Sequence, residues 1–152
     1  MNGTVQHPTI LLADDDPEDR DLMQLAIGRA NFARQRLRTV EDGNDLLDYL
    51  RHRGKYADDV AQSPAPVLLL LDLRMPKRDG FSALAEIRRD PTLRKLPVVV
   101  MTTSDSPDDV KRSYDLGANS FISKPTTLAS LVAAVQTLSD YWFSCVSLPE
   151  AE

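Results

Sequence analysis

The sequence has only one cysteine, Cys145, so neither an internal disulfide framework nor a cysteine-based metal site can form. This usage fits a reducing compartment. No apolar run approaches the ~20 residues that a membrane helix needs. The start of the chain, MNGTVQHP, also lacks the charged and then apolar layout of a secretory signal. We therefore expect a cytoplasmic protein without a membrane contact.

Clustered positive charge is absent as well. The chain carries 18 basic and 23 acidic residues, for a net charge of -5, and its basic residues are dispersed. A stripe of positive charge, which phosphate backbones require, is therefore missing, and we expect no direct binding of nucleic acid. With 152 residues, 42% of them hydrophobic, the chain is long enough for one domain with a proper core.

The chain does contain two apolar segments that run directly into acids. In Val67–Gly80, VLLLLDLRMPKRDG, five apolar residues precede Asp72, and in Thr9–Asp16, TILLADDD, a similar run precedes three carboxylates. A run that is apolar at every position is typical of a strand buried on both faces of a parallel sheet. Parallel strands share one direction, so Asp14, Asp15 and Asp72 should meet at the carboxyl edge. The sequence therefore predicts a site for a hard cation.

Five predicted strands alternate with five predicted helices along the chain. This alternation predicts an α/β fold in which a parallel sheet has right-handed crossovers. The first, third and fourth strands are the most apolar, which places them at the centre of the sheet. The expected architecture is a flavodoxin-like (βα)5 doubly wound sheet of order 2-1-3-4-5.

The first helix has a clear start. Asp16 is a typical N-cap, Pro17 suits the first helical position, and the acids that follow are favoured by the helix dipole. The N-cap role accounts for Asp16, so we leave it out of the metal site. The helix is predicted to end near Asn31. The residues predicted to share its inward face are Leu22, Leu25, Ala26 and Ala30.

Two further side chains follow the last two predicted strands. Thr102 ends the fourth strand and Lys124 follows the fifth. Carboxylates that lie close together raise one another's pKa unless a cation compensates, and Mg²⁺ suits a site of few carboxylates, waters and phosphate oxygens. Lys124 can neutralise phosphate oxygens and Thr102 can donate to one. A carboxylate at such a site can itself accept a phosphoryl group and form an acyl phosphate.

The segments ILLADDDPED, LLLLDLRMPKRDG, VVVMTTS and FISKP, in this order and spacing, resemble the receiver domain of two-component response regulators. The resemblance covers Thr9 to Leu138. It implies that Asp72 is the phosphoacceptor for a histidine kinase. It also implies a Mg²⁺ site in which Asp15 is a direct ligand, Asp14 holds metal-bound water and the backbone carbonyl of Arg74 completes the metal shell.

The same resemblance implies a switch. Lys124 would bind the phosphoryl group, and a cis Lys124–Pro125 peptide would aim it. Thr102 would be the switch hydroxyl and Phe121 the aromatic switch, so that phosphorylation shifts the population between two packings. Such a protein acts as a phosphoacceptor and not as an enzyme on separate substrates. Arg74 is a departure, because Asn is common two residues after the acceptor.

A narrower resemblance covers the flanking segments DYLRHRGKYAD, TTSDSPDDVKRSYDLGANSFISKP and LSDYWFSCVSLP, which are similar to regulators that partner bacterial phytochrome kinases. Such proteins are receivers without an output domain, and often homodimers. Residues 1–8 would be a tail, residues 9–138 the receiver, and residues 139–152 an extension of the last helix. Tyr141, Trp142 and Phe143 add apolar surface there, which favours a dimer contact. The alternative is a lid over the last helix.

Two other functions compete with this interpretation. Asp14-Asp15-Asp16 after an apolar strand also resembles the nucleophile motif of haloacid-dehalogenase-type phosphatases. Those enzymes need a cap or a longer core. They also need a Thr or Val two residues after the second Asp of a DxD motif, which would be Asp16 here, and this chain has Glu18 at that position. The second rival is a pseudo-receiver scaffold that binds partners without phosphorylation. The intact acid pair, Thr102 and Lys124 argue against it.

Overall fold

Five strands and five helices alternate in a computed structural model that describes residues 8–30, 36–58 and 60–149. The strands are β1 Thr9–Ala13, β2 Arg36–Val40, β3 Leu68–Leu71, β4 Val98–Thr102 and β5 Ser120–Ser123. The helices are α1 Pro17–Arg29, α2 Gly43–Arg51, α3 Gly80–Arg89, α4 Pro107–Asp115 and α5 Leu128–Ser139. Two single-turn 3-10 helices, Gly54–Tyr56 and Val60–Gln62, lie between α2 and β3.

The strands form one sheet in the order β2-β1-β3-β4-β5, and every pair is parallel. The predicted flavodoxin-like order is therefore confirmed. Ala13, the last residue of β1, pairs with Leu71, the last residue of β3, and Leu71 pairs with Val100 of β4. This register brings the residues that follow β1 and β3 to the same edge of the sheet.

The core has two layers because helices cover both faces of the sheet. Alternate residues of the central strands face opposite layers: Leu11 and Leu69 pack with α2 and α3, while Ile10 and Leu70 pack with α1 and α5. All four are at most 2% exposed. Each such side chain contributes about 1.5–3 kcal/mol when it is fully buried, so the apolar runs stabilise the sheet that holds the strand ends in place.

The inward face of α1 differs from the prediction. Ala26 and Ala30 are buried as expected, but Leu22 and Leu25 are 44% and 43% exposed, and Met23 and Ile27 are buried in their place. The reason is that apolar residues lie on more than one face of this helix, so spacing alone cannot fix its rotation. The helix ends at Arg29 and Ala30 caps it, close to the predicted end at Asn31, which lies outside the described residues.

The chain continues beyond α5 as a π-helical turn, Asp140–Cys145. Trp142 and Phe143 in this turn are half-buried and pack against the layer formed with α1 and α5, whereas Tyr141 is 52% exposed. Residues 1–7 and 150–152 of the predicted tails lie outside the described residues. Within the described ranges, no helix combines the length and apolar character that crossing a bilayer demands.

Candidate functional site

The structure brings the three predicted acids together at the carboxyl edge of the sheet. Asp14 and Asp72 directly follow β1 and β3 and are 2% and 7% exposed, while Asp15 is exposed. One carboxylate oxygen of each lies within 4.8 Å of the others. Backbone hydrogen bonds hold the two buried acids in place. The Asp72 amide donates to the Ala13 carbonyl at 3.0 Å, and the Asp14 amide donates to the Val40 carbonyl at 3.1 Å.

Lys124 reaches this cluster from the end of β5. Its Nζ donates to Asp72 Oδ2 at 2.9 Å, to Asp14 Oδ2 at 2.8 Å and to Asp19 Oδ2 at 2.7 Å. Burial would lower the pKa of the Lys124 ammonium, but these three hydrogen bonds outweigh burial and raise its pKa. The ammonium is therefore charged throughout the physiological range and supplies a fixed positive charge beside Asp72.

Asp14 is the most buried of the acids, and its environment opposes its charge. Burial raises the pKa of its carboxyl group, although the hydrogen bonds from Lys124 and from the Asp16 amide partly offset that effect. The Asp16 amide donates to Asp14 Oδ1 at 3.0 Å. A nearby cation would stabilise the ionised form of this carboxyl group.

Both carboxylate oxygens of Asp72 accept hydrogen bonds. Thr102 Oγ1 donates to Asp72 Oδ1 at 3.0 Å, and the Arg74 amide donates to the same oxygen at 3.3 Å, while Lys124 holds Oδ2. Thr102 is completely buried. Gly80 lets the chain pass close to the backbone of Asp72, because a Cβ at position 80 would collide with the Asp72 carbonyl oxygen. The Asp72 carboxylate is therefore held in one orientation before any ligand binds.

The response regulator receiver domain family matches residues 10–136 of the chain. The chain belongs to this family. Response regulator Rcp1 from Synechocystis is 39% identical over 142 residues, which is 93% of each protein. A structure of the phosphorylated cyanobacterial phytochrome response regulator RcpA is 40% identical, covers 95% of this chain and 99% of RcpA, and has a TM-score of 0.85. A structure of response regulator RPA3017 in red light signaling of R. palustris is 35% identical, covers 95% of this chain and 99% of RPA3017, and has a TM-score of 0.88.

The receiver's acids fit a divalent cation. Asp14, Asp15, Asp19 and Asp72 bring four carboxylates to the site against the single ammonium of Lys124. No ion pair among the described residues involves Asp15. Ligand oxygens at 2.0–2.1 Å from Mg²⁺ lie about 3 to 4 Å apart, so small movements of the three clustered acids suffice to bind one ion. A structure of Rcp1 has been determined in an Mn²⁺-bound form.

Arg74 lies at the outer rim of the receiver site. Its guanidinium is 75% exposed and lies 3.9 Å from Asp109 Oδ2, at the start of α4. The same Asp109 oxygen accepts a hydrogen bond from Ser104 Oγ at 2.6 Å. Arg74 also lines an open cleft of about 580 Å³ that borders Asp15. The Arg74 amide points toward Asp72, while a metal-binding role for its carbonyl stays a prediction.

The structure corrects one feature of the Lys124 environment. No cis peptide bond occurs in the described residues, so the Lys124–Pro125 peptide is trans and the implied cis bond is wrong. The Lys124 backbone is instead positioned by its amide, which donates to the Thr102 carbonyl at 2.7 Å. Its side chain is directed by the carboxylates that it contacts. The lysine therefore reaches the site without an unusual backbone geometry.

The two remaining groups of predicted residues lie away from the acids. Phe121 is half-buried beside the layer formed with α2 and α3, and its switch role stays a prediction. Of the three residues predicted for a dimer contact, Tyr141 alone is exposed, and its ring packs edge-on against Trp142 with centroids 5.1 Å apart. Trp142 and Phe143 contact their own domain. A dimer role therefore depends most on Tyr141.

Sequence reasoning missed two acids near the site. Asp19 was interpreted only as an acid favoured by the helix dipole, yet it contacts Lys124. It lies in the first turn of α1, and no spacing in the sequence signals its contact with Lys124, which is 105 residues away. Asp109 has no place in the predicted site, yet it pairs with Arg74. Both contacts join elements that are distant in sequence.

Proposed function

We propose that Asp72 accepts a phosphoryl group from the phosphohistidine of a histidine kinase, in a Mg²⁺-dependent reaction. The observation that carries this proposal is the pair of contacts to Asp72: Thr102 holds one oxygen and Lys124 holds the other. A nucleophile held in this way lies among donors that can also bind phosphoryl oxygens, as phosphoryl transfer requires. The acceptor is a residue of the protein itself, so the proposed role is signalling and not turnover of a separate substrate.

The proposed step is an in-line displacement at phosphorus. An Asp72 oxygen forms the new O–P bond, and the P–N bond of the phosphohistidine breaks with its electron pair left on the imidazole nitrogen, which takes a proton from solvent. Bound Mg²⁺ would neutralise charge on the phosphoryl oxygens. Asp15, Asp72 and the Arg74 carbonyl would hold this ion directly, and Asp14 would hold it through a bound water. Lys124 balances the charge on one oxygen, and Thr102 donates a hydrogen bond to another.

The proposed signal is a change in packing. Thr102 Oγ1 contacts Asp72 Oδ1 before phosphorylation, so the proposed change moves this hydroxyl from Asp72 to a phosphoryl oxygen and leaves space that Phe121 can fill. Phe121 pairs with Val100 across β4 and β5 and packs against the core, so its rotation would alter the surface beside α4. Phosphorylation can shift the equilibrium between the two packings only by the difference in free energy of the phosphoryl contacts that each packing makes.

We further propose a bacterial phytochrome as the kinase partner. RcpA is described as a phytochrome response regulator and RPA3017 as acting in red light signaling, and each covers nearly the whole chain. A kinase that draws its phosphoryl group from ATP works in the cytoplasm, so this partner implies a cytoplasmic protein. Transfer profiling against purified kinases tests the choice: a phytochrome kinase should label the chain fastest.

A homodimer that uses the C-terminal turn is part of the proposal. Tyr141 is 52% exposed at the end of α5, where an aromatic side chain can anchor a partner surface. Tyr141→Ser should weaken self-association in light scattering while circular dichroism shows that the chain remains folded. Tyr114→Ser is the matched control, because Tyr114 is 49% exposed on α4. A Tyr141→Ser protein with unchanged self-association would reject this dimer surface.

Intact mass spectrometry tests the phosphoacceptor proposal. With Mg²⁺ and a small phosphodonor such as acetyl phosphate, the wild type should gain one phosphoryl group. Asp72→Asn should gain none, because an amide is not a competent nucleophile. Asp21→Asn, which removes an exposed carboxylate from α1, should be labelled like the wild type. Equal labelling of Asp72→Asn and the wild type would refute the assignment, and an unlabelled wild type would favour the scaffold.

A further inference from the structure

Lys124 has no spare donor in this structure. An ammonium has three N–H groups. Each meets a carboxylate from a different part of the chain: Asp14 after β1, Asp19 in the first turn of α1 and Asp72 after β3. The Asp19 contact is the shortest, at 2.7 Å. The Lys124 side chain is only 15% exposed, and that of Asp19 is 33% exposed.

A phosphoryl group on Asp72 would need one of these donors, so one carboxylate must yield. Asp14 belongs to the cluster of three acids that can bind a cation, and it is also held by the Asp16 amide. Asp72 carries the phosphoryl group itself. Asp19 lies outside the cluster and, among the described residues, its carboxylate has no ion pair except the one with Lys124. It is the partner that can leave at the least cost.

We propose that Asp19 is a positioning residue that holds Lys124 at the site in the unphosphorylated protein and competes with phosphoryl oxygens for its ammonium. This inference rests on the proposed function, since it concerns the group that Asp72 would accept. Asp19 keeps Lys124 pointed at the acids, but its negative charge repels the incoming phosphoryl group. The site therefore binds that group less tightly than it would with a neutral residue at position 19.

Asp19→Asn separates the two effects. The amide oxygen of asparagine can still accept a hydrogen bond from Lys124, whereas the charge is gone. Affinity for beryllium fluoride, which mimics a phosphoryl group on a carboxylate, should rise about fivefold, or about 1 kcal/mol. Mg²⁺ affinity should not rise, because a negative charge has been removed near the cation. Tighter binding of the anion without tighter binding of the cation would not follow from a merely structural role.

The experiment is calorimetric titration of the full chain. Mg²⁺ is titrated first, and beryllium fluoride is then titrated at saturating Mg²⁺, with wild type, Asp19→Asn and two controls. Asp21→Asn removes an exposed acid from the same helix and should stay within twofold of the wild type. Asp19→Glu retains the charge, so its affinity for beryllium fluoride should lie near that of the wild type. Circular dichroism checks that each variant is folded.

The outcomes are separable. Tighter beryllium fluoride binding by Asp19→Asn alone supports the inference. Equal or weaker binding by folded Asp19→Asn overturns it, as does an equal gain in Asp21→Asn, which would reduce the effect to overall charge. If the wild type bound no beryllium fluoride in Mg²⁺, the proposed function and this inference would both be overturned. Wild-type binding without an Asp19 effect would overturn the inference alone.

Discussion

The floor and the rim of the site are built differently. The floor consists of Asp14, Asp72, Thr102 and Lys124, whose side chains lie at most 15% exposed and are joined by hydrogen bonds of 2.8–3.0 Å. The rim consists of Arg74, Ser104 and Asp109, where the guanidinium is 75% exposed and its ion pair is 3.9 Å long. The floor is fixed by the sheet, while the rim combines the loops after β3 and β4 with the first turn of α4.

This difference separates chemistry from tuning. Floor residues end or directly follow paired strands, so the sheet fixes their positions. Their short contacts in a buried setting are strong. An exposed ion pair contributes roughly 0–1 kcal/mol, so the rim can rearrange at little cost. We expect floor variants to abolish or sharply slow phosphorylation, and rim variants to change rates by small factors.

Lys124→Met should have the largest effect on phosphorylation rate. Removing the one ammonium from the floor leaves the phosphoryl charge without its partner, which costs about 3 kcal/mol, or about 100-fold in rate. Rapid-quench labelling with acetyl phosphate measures it. Lys111→Met is the control, because Lys111 is 76% exposed and pairs with Asp115 on α4. A Lys124→Met rate within threefold of the wild type would contradict a fixed floor.

Thr102→Val should produce a smaller loss at the floor. Valine keeps the shape of threonine but removes the hydroxyl that contacts Asp72 Oδ1. Loss of a hydrogen bond to a charged group costs about 1.5 kcal/mol, so beryllium fluoride affinity should fall about tenfold. Thr103→Val, at the neighbouring exposed position, is the control. If both variants bound alike, the hydroxyl would have no part in the site.

Alkaline pH should weaken the floor without touching the rim. The three carboxylates raise the pKa of Lys124 above its ordinary 10.5. Its stabilising contribution is therefore fully present below pH 10.5 and is lost as the pH rises through the folded-state pKa. In urea unfolding without metal, the free energy of unfolding of the wild type should exceed that of Lys124→Met, and this difference should shrink as the pH rises above 10.5. A difference that stays constant with pH would show that the ammonium pairing does not stabilise the fold.

The Arg74–Asp109 ion pair should have the smallest effect. A double-mutant cycle of Arg74→Ala and Asp109→Ala, measured by urea unfolding, should give a coupling free energy below about 0.5 kcal/mol. The cycle is needed because Asp109 also accepts from Ser104, and the single variant breaks both contacts. A coupling free energy above about 1 kcal/mol would mean that the rim is fixed as firmly as the floor.

The floor could be predicted from sequence because parallel strands carry their carboxyl ends to one edge. Asp14 and Asp72 directly follow apolar runs, so the sequence predicts that each lies at the carboxyl end of a strand. The strand register then places the two acids together. Lys124 was placed in the same way, after β5. Such residues need only the strand order, which hydrophobicity along the chain also predicts.

The remaining contacts depend on how helices sit against the sheet. Asp19 meets Lys124 because the Lys124 side chain, which follows β5, reaches the first turn of α1, and neither segment encodes that contact locally. The rotation of α1 has the same origin, since Met23 and Ile27 face the core while Leu22 and Leu25 do not. Tertiary packing chooses among faces that have similar apolar content, so spacing alone is insufficient there.

Reductive trapping is the most direct test of the claim that the floor directs phosphorylation to Asp72. After labelling with acetyl phosphate and Mg²⁺, borohydride converts an aspartyl phosphate to homoserine, and peptide sequencing by mass spectrometry locates it. We predict homoserine at position 72 and at no other acid. Homoserine at position 14 would instead identify Asp14 as the nucleophile, as the phosphatase alternative requires, and would contradict the account.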